Sequence, residues 1–392
     1  MITVEQALEM LFKLVAPLET EKVDLANSGG RVLAKPITST ITQPPFNASA
    51  MDGYAVKNSD ISTGATLNVI GESAAGHHFD GPVTSGQAVR IFTGAIVPEG
   101  ADRIVIQEDV ERVGEQITIG ADIDTATYIR PAGADFQIGS EISAPRVMAP
   151  ADVALCASMG QAQITASRKP IVALVATGDE LVMPGGNLKT GQIMASNSFG
   201  LKAMFEAAGA TCRMLPIARD NLASLKSVFS LCADADLIVT LGGASVGDHD
   251  LVATAAQELG MEQSFYKVSM RPGKPLMAGR LLDIPMIGLP GNPVSSMVCG
   301  TVFVVPMIKA MLGLPAAAAI RKKATLTEAM PANGPREHYM RASFDPANNG
   351  ISAFNRQDSA LLSVLAGANA LIVRPAKDGA KDIGCEVEFL SI

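Results

Sequence analysis

The chain has 392 residues, 48% of them hydrophobic, with no Trp and a formal net charge of −8. That length exceeds one ordinary domain core and calls for two to four domains, while an acidic balance without a Lys/Arg cluster excludes broad nucleic-acid binding, which demands a basic face. A small anionic ligand stays open if backbone amides, a few Lys or Arg, or a bridging cation hold it locally.

The N-terminal stretch MITVEQALEMLFKLV keeps apolar residues at helical spacing from Val4 to Val15, carries acids inside the pattern and lacks a cleavage site, so it reads as a helix and not a signal peptide. A short extended region leads to Pro44-Pro45. In SAMDGYAV, Asp52-Gly53 interrupts Met51, Tyr54 and Val56, and composition favours a plain acidic turn. Between Gly64 and Ser143 the pieces TLNVIG, AVRIFTG, DRIVIQ and QITIG, punctuated by Gly, Pro and Asp, predict an all-β module. In YIRPAGADFQIG, Arg130 and Asp135 flank a Pro/Gly turn, and a surface ion pair suffices to explain them. His77 and His78 have no third ligand at zinc spacing and read as exposed. Five scattered cysteines without C-x-x-C spacing read as buried thiols in a reducing compartment.

After Lys169-Pro170 strands and helices alternate: IVALVAT, a helix from Ser198 to Ala208 closed by Gly209, CRMLPIA, a helix from Asn221 to Cys232 capped by Asp220, DLIVTLGG, and a helix from Leu251 to Leu259. This alternation predicts a doubly wound α/β domain with a parallel-rich sheet, whose ligands sit beyond the carboxyl ends of the strands. The apolar run from Met297 to Leu314, interrupted by Gly300 and Pro306, is expected to be a buried helix and not a membrane span. Past Lys322, REHYMRASF, ALIVRP and CEVEFLSI predict strands of a small C-terminal β module.

Chemistry is therefore sought at the strand ends. They carry Thr177, Gly178, Asp179 and Glu180 of TGDEL, then Arg219-Asp220, then GGASVGDHD, then Pro290, Gly291, Asn292 and Pro293. Gly242, Gly243 and Gly247 allow a tight turn that presents amides to an anion, and Ser245 adds a hydroxyl. Asp248 and Asp250 beside them would repel a phosphate unless a hard cation lay between, and Mg²⁺ supplies that bridge; helix capping by Asp248 is the competing reading. In MRPGKP, Arg271 and Lys274 stand on a proline-stiffened loop suited to a phosphate or a tetrahedral oxyanion, with a solvated basic turn as the alternative. Lys267 lies three residues before this loop and is a weaker candidate. His249 reads as solvent-facing. No dinucleotide fingerprint, P-loop or Ser/His/Asp set occurs.

These strings, in order, resemble the molybdopterin molybdenumtransferase family, which includes the gephyrin E domain: SAMDGYAV, GESAAG, TGAIVPEGAD, RPAGADFQIGS, TGDEL, SNS, LGGASVGDHD, MRPGKP and LPGNPVSS. The resemblance implies α/β plus β architecture in four domains: 1–45 with 138–168 as an extended domain, 46–137 as an inserted β domain, 169–321 as the α/β molybdopterin-binding domain, and 322–392 as a β-barrel-like domain. It also implies a cytoplasmic homodimer whose cleft is shared between subunits, acting on adenylylated molybdopterin and molybdate with Mg²⁺ and releasing AMP. Its expected partners are a molybdopterin adenylyltransferase and the enzymes that accept the finished cofactor, with neither membrane nor nucleic acid among them.

Carried over by position, Glu180, Asp220, Asp248 and Asp250 would hold the metal and nucleotide, and Lys267 and Lys274 the anionic groups. Ser245 and Gly242-Gly243 would approach the pterin phosphate. Arg341 and Ser359 would contribute from the C-terminal domain, and Asp52, Arg130 and Asp135 from the other subunit. Two departures stand out: Ala134 where the family has Glu, and Asp358 where it prefers a small residue. A molybdopterin adenylyltransferase using ATP shares the α/β domain but commonly lacks the flanking β modules, and a non-catalytic gephyrin-like scaffold is the reading from another class.

Overall fold

The computed structural model describes residues 1–242 and 251–392. Helix Val4–Phe12 starts with a capping box, Thr3 Oγ1 accepting from Gln6 N at 3.1 Å and Gln6 Oε1 from Thr3 N at 3.0 Å. Its stripe Val4, Ala7, Leu8 and Leu11 packs with Leu201, Phe205 and Phe303 of the α/β domain. It ends before Val15, because the chain turns at Lys13. The amino end is also pinned, Ser269 N donating to Ile2 O at 2.8 Å.

A four-stranded sheet in the order Thr20–Asp24, Gln163–Ser167, Val32–Leu33, Arg146–Val147 draws strands from both sides of the inserted β module. That module holds a six-stranded sheet in the order Arg103–Ile106, Gly53–Val56, Gln87–Ile91, Thr66–Ser73, Gln116–Ile119, Val110–Val113. The turn expected in SAMDGYAV is thus followed by a strand in which all four residues are buried. Tyr54 and Val56 enter one core and Ala55 the other, so the strand is covered on both faces and shows no polar alternation.

The α/β sheet runs Thr211–Met214, Ile171–Ala176, Leu237–Leu241, Ile284–Leu289, Met277–Leu281, Glu262–Tyr266; the first four strands are parallel and the last two antiparallel. Side chains alternate between two cores: Val172, Leu174, Leu237 and Val239 face one, Ala173, Val175 and Ile238 the other. Helices Asn197–Ala207, Leu222–Ser230 and Leu251–Glu258 fill the connections. The cap of the second is Asn221, whose Oδ1 accepts from Ser224 N at 2.9 Å, and not Asp220, whose carboxylate is left facing the strand tips.

Gly300 and Pro306 do not interrupt the late helix. Pro293–Cys299 passes through a π-helical stretch, Gly300–Val304, into Val305–Met311. The wider turn accommodates a proline that has no N–H to donate and whose ring crowds the preceding turn. Pro293–Met311 is the one helix among the described residues long and apolar enough to cross a membrane, and 78% of its most apolar 18-residue window is buried inside the protein, as expected of a core helix. Cys156, Cys212, Cys232 and Cys299 are buried free thiols, burial pushing Cys212 up to about 12 and Cys232 up to about 11; Cys385 is partly exposed.

The C-terminal strands close on themselves. Glu337–Asp345, Gly350–Ala353, Lys322–Leu326, Glu386–Ser391 and Ala370–Arg374 form a ring in which the last pairs with the first, a five-stranded barrel. Met270–Arg271 adds a parallel strand outside it, with Arg271 opposite His338. The basic loop of the α/β domain is therefore stitched to the barrel.

Candidate active site

Four parallel strand tips are tied in a row by backbone hydrogen bonds. Gly242 N donates to Leu289 O at 3.2 Å, Thr177 N to Leu241 O at 3.1 Å and Gly178 N to Ala218 O at 3.1 Å. Parallel pairing continues past the regular strands, which forces the loops to leave the sheet side by side. Gly178 has φ +145°, and a Cβ there would fall on Glu180 Oε2, so glycine lets the acid fold back toward the tips. Asp179 and Asp220 cross-brace, Asp220 Oδ2 accepting from Asp179 N at 3.3 Å and Asp179 Oδ1 from Asp220 N at 3.4 Å.

Beyond the tips lies a cleft of about 840 Å³, lined by Thr177, Gly178, Glu180, Asp220, Gly242 and Pro290–Pro293, with Ser196, Asn197 and Leu181. Its wall is fixed from behind, Asn197 Nδ2 donating to Gly291 O at 2.7 Å and Ser296 Oγ to Asn292 O at 3.1 Å.

A second cavity of about 400 Å³ shares Pro275 and Asn292 with the first. Arg271, Lys274 and Arg336 give it three cations, and Ser295, Gln357 and Ser359 its hydroxyl and amide groups. It sits at the start of the long helix, whose dipole favours an anion. The barrel closes it: Val294 N donates to Ser359 O at 3.1 Å and Asn292 Nδ2 to Ser359 Oγ at 3.2 Å. Arg341, only 2% exposed, does not line the cavity; Nη1 donates to Asp358 O at 2.8 Å and Nε to Gln357 Oε1 at 3.2 Å, holding the Ser359 loop in place. Asp358, one of the two departures, supplies its backbone carbonyl to that clamp. His338 packs beside the cavity's cations, and burial, followed by Arg271, Arg336, Arg341 and Arg374, drives its imidazole down from 6.5 to about 4.

Other expected residues lie elsewhere. Asp179 is exposed and 3.8 Å from Arg219 Nη1. Lys267 has φ +73° and its ammonium lies 4.9 Å from the centre of the Tyr266 ring, outside both cavity linings. Asp52, Arg130 and Asp135 belong to the inserted β module and line neither cavity of this subunit. Asp52 Oδ1 accepts from Thr93 N and from Thr93 Oγ1, each at 2.7 Å, and these bonds hold the carboxyl below its ordinary value. Gly243, Ser245, Gly247, Asp248 and Asp250 fall outside the described residues. Sequence reasoning missed Arg336, Ser295 and Gln357: Arg336 comes from a segment without a local motif, while Ser295 sits inside the LPGNPVSS string and Gln357 two residues before Ser359 without having been singled out; Ser196 and Asn197 were visible only as the SNS string.

Comparison with known proteins decides the family. Residues 2–160 match the MoeA N-terminal region (domain I and II), 173–310 the probable molybdopterin binding domain and 323–392 the MoeA C-terminal region (domain IV). A molybdopterin molybdenumtransferase of Nostoc sp. is 34% identical over 100% of this chain and 94% of its own. The chain belongs to the molybdopterin molybdenumtransferase family. A molybdenumtransferase of Haemophilus influenzae is 37% identical over 80% of this chain and 78% of its own. A crystal structure of a molybdopterin biosynthesis MoeA protein from Pyrococcus horikoshii superposes with TM-score 0.86 at 25% identity, each chain covered completely. Another of that organism gives 0.82 at 29%, covering 100% of this chain and 98% of that one. As a molybdenumtransferase-family member the protein is a transferase of molybdenum cofactor biosynthesis; the larger cavity lies almost entirely in its 173–310 region and the smaller one where that region meets 323–392.

Proposed function

We propose that the protein inserts molybdenum from molybdate into adenylylated molybdopterin, with hydrolysis of the pyrophosphate bond and release of AMP. The observation that carries this reading is that an acidic cleft and a cationic pocket lie side by side, with Pro275 and Asn292 in the walls of both. A pyrophosphate-linked dinucleotide fits the long cleft, and a tetrahedral oxyanion fits the smaller pocket.

Lys274, Arg271 and Arg336 receive the oxyanion, with Ser295 and Ser359 as hydroxyl donors; Asp358 shares the lining, its Oδ1 accepting from Ala360 N at 2.8 Å. Arg341 positions Ser359. Thr177, Gly178, Gly242 and Pro290–Pro293 shape the nucleotide wall. The cleft lining has oxygen donors in Glu180 and Asp220 and no His or Cys among the described residues, which suits a hard cation with few protein ligands. Mg²⁺ held by these two acids, with Asp248 and Asp250, would offset the pyrophosphate charge. Asp52, Arg130 and Asp135 complete the site from the second subunit of a homodimer, Asp52 kept ionised by Thr93. The four-domain division at 45/46, 137/138, 168/169 and 321/322, cytoplasmic residence, and exchange of substrate and product with an adenylyltransferase and cofactor-accepting enzymes belong to the same reading.

The test is incubation with adenylylated molybdopterin, Mg²⁺ and molybdate. AMP release that accompanies formation of active cofactor supports it; ATP consumption would favour the adenylyltransferase reading, and neither would favour the scaffold.

A further inference from the structure

Two short parallel strands, Leu181–Val182 and Ile193–Met194, form a strap on one rim of the long cleft. Ile193 N donates to Glu180 O at 2.9 Å and Ala195 N to Val182 O at 2.9 Å, so the strap is fastened to the backbone of a cleft acid. Its side chains are apolar yet wet: Ile193 is 55% and Met194 36% exposed, and both line the cavity together with Leu181. Val252, Pro290 and Pro293 add apolar surface to the same cavity.

A pyrophosphate gains nothing from such a wall. A flat heteroaromatic ring does, because it removes those side chains from water and meets a polarisable thioether. Leu181 follows Glu180 directly, so one ligand could place its charged link at the acid and its ring on the strap.

We infer that the strap is a ring-binding wall, in which Leu181, Ile193 and Met194 hold a planar heteroaromatic ring of the substrate and set the preference for ring-bearing phosphate esters over bare pyrophosphate. The inference rests on the proposed function. Purine and pterin rings share this chemistry, and the test separates them.

Full-length protein is titrated calorimetrically with AMP, with a simple pterin and with pyrophosphate, each in the presence of Mg²⁺, for the wild type, the double variant Ile193→Asn/Met194→Gln, and Met194→Leu. The double variant weakens at least one ring-bearing ligand by about tenfold and leaves pyrophosphate within about twofold, while Met194→Leu stays near wild type. The affected ligand names the ring. Equal losses for all three ligands, or no loss for either ring, would overturn the inference. So would a change of oligomeric state on sedimentation with ring binding intact, since the strap would then face a second copy. Wild-type protein that binds none of the three sinks the nucleotide reading itself, whereas binding that the double variant retains sinks the strap alone.

Discussion

Acidification should weaken the C-terminal barrel through one residue, His338. The imidazole is 7% exposed and lies opposite Arg271 in the added strand. Burial, reinforced by Arg271, Arg336, Arg341 and Arg374, lowers it from 6.5 to about 4, so the native state refuses a proton that the unfolded chain accepts. Between these two values the unfolded state binds more protons, and stability therefore rises with pH and is lost as pH falls from about 6.5 toward 4. At about pH 5 the imbalance is roughly thirtyfold in the folding equilibrium, or about 2 kcal/mol relative to about pH 7.5. His338→Gln cannot titrate. Amide exchange of the barrel strands at the two pH values should show the wild type losing about 2 kcal/mol more than the variant. Equal losses in both proteins would mean that the imidazole is protonated inside the fold and would refute the reasoning.

Gly273→Ala should damage the basic loop: at φ +109° its Cβ falls on Cys299 Sγ and 3.2 Å from Met270 Sδ, a cost of roughly 2–4 kcal/mol in strain and overpacking. Adding Cys299→Ala should restore about 1 kcal/mol by denaturation midpoint, and strict additivity would contradict the contact. Arg168→Met should cost about 2–3 kcal/mol in thermal denaturation, because it strands Asp236, whose two oxygens each accept from Arg168 at 2.7 Å. Burial pushes Asp236 up, but Arg168 and Ile171 N outweigh it and keep the carboxyl low, so this stabilisation is present above the unfolded value and fades as pH falls. Lys274→Ala should weaken molybdate binding by roughly tenfold in equilibrium dialysis while AMP binding stays unchanged; an equal loss of both would place Lys274 in the nucleotide cleft.

The four parallel strands of the α/β sheet were legible because they are short apolar runs bounded by turn residues; the antiparallel edge strands Met277–Leu281 and Glu262–Tyr266 were not, the latter being polar and largely exposed. The edge where the loops meet was legible too, since parallel strands oblige every connection to leave the carboxyl end on the same side. Gly53–Val56 was not, because a strand buried on both faces lacks polar alternation and Asp52 disguises its start. Lys322–Leu326 and Gly350–Ala353 were missed for the opposite reason, since their exposed or small residues gain strand structure only from barrel neighbours. Pro306 looked like a break because the π-helical turn that accommodates it has no sequence mark. Within the site, Glu180, Asp220 and Lys274 follow recognisable strings. Arg336 reaches the cationic pocket only through docking of the barrel on the α/β domain, which no local pattern encodes, whereas the clamp that Arg341 places on the Ser359 loop is made within the C-terminal domain, between a strand and a loop that share no local motif.

The most direct measurement is single-turnover AMP release from adenylylated molybdopterin, with Mg²⁺ and molybdate, by wild type and Glu180→Gln/Asp220→Asn. The double variant should bind molybdate normally and release AMP about a hundredfold more slowly or worse. Release within about twofold of wild type would contradict the assignment of hydrolysis to the tips of the sheet.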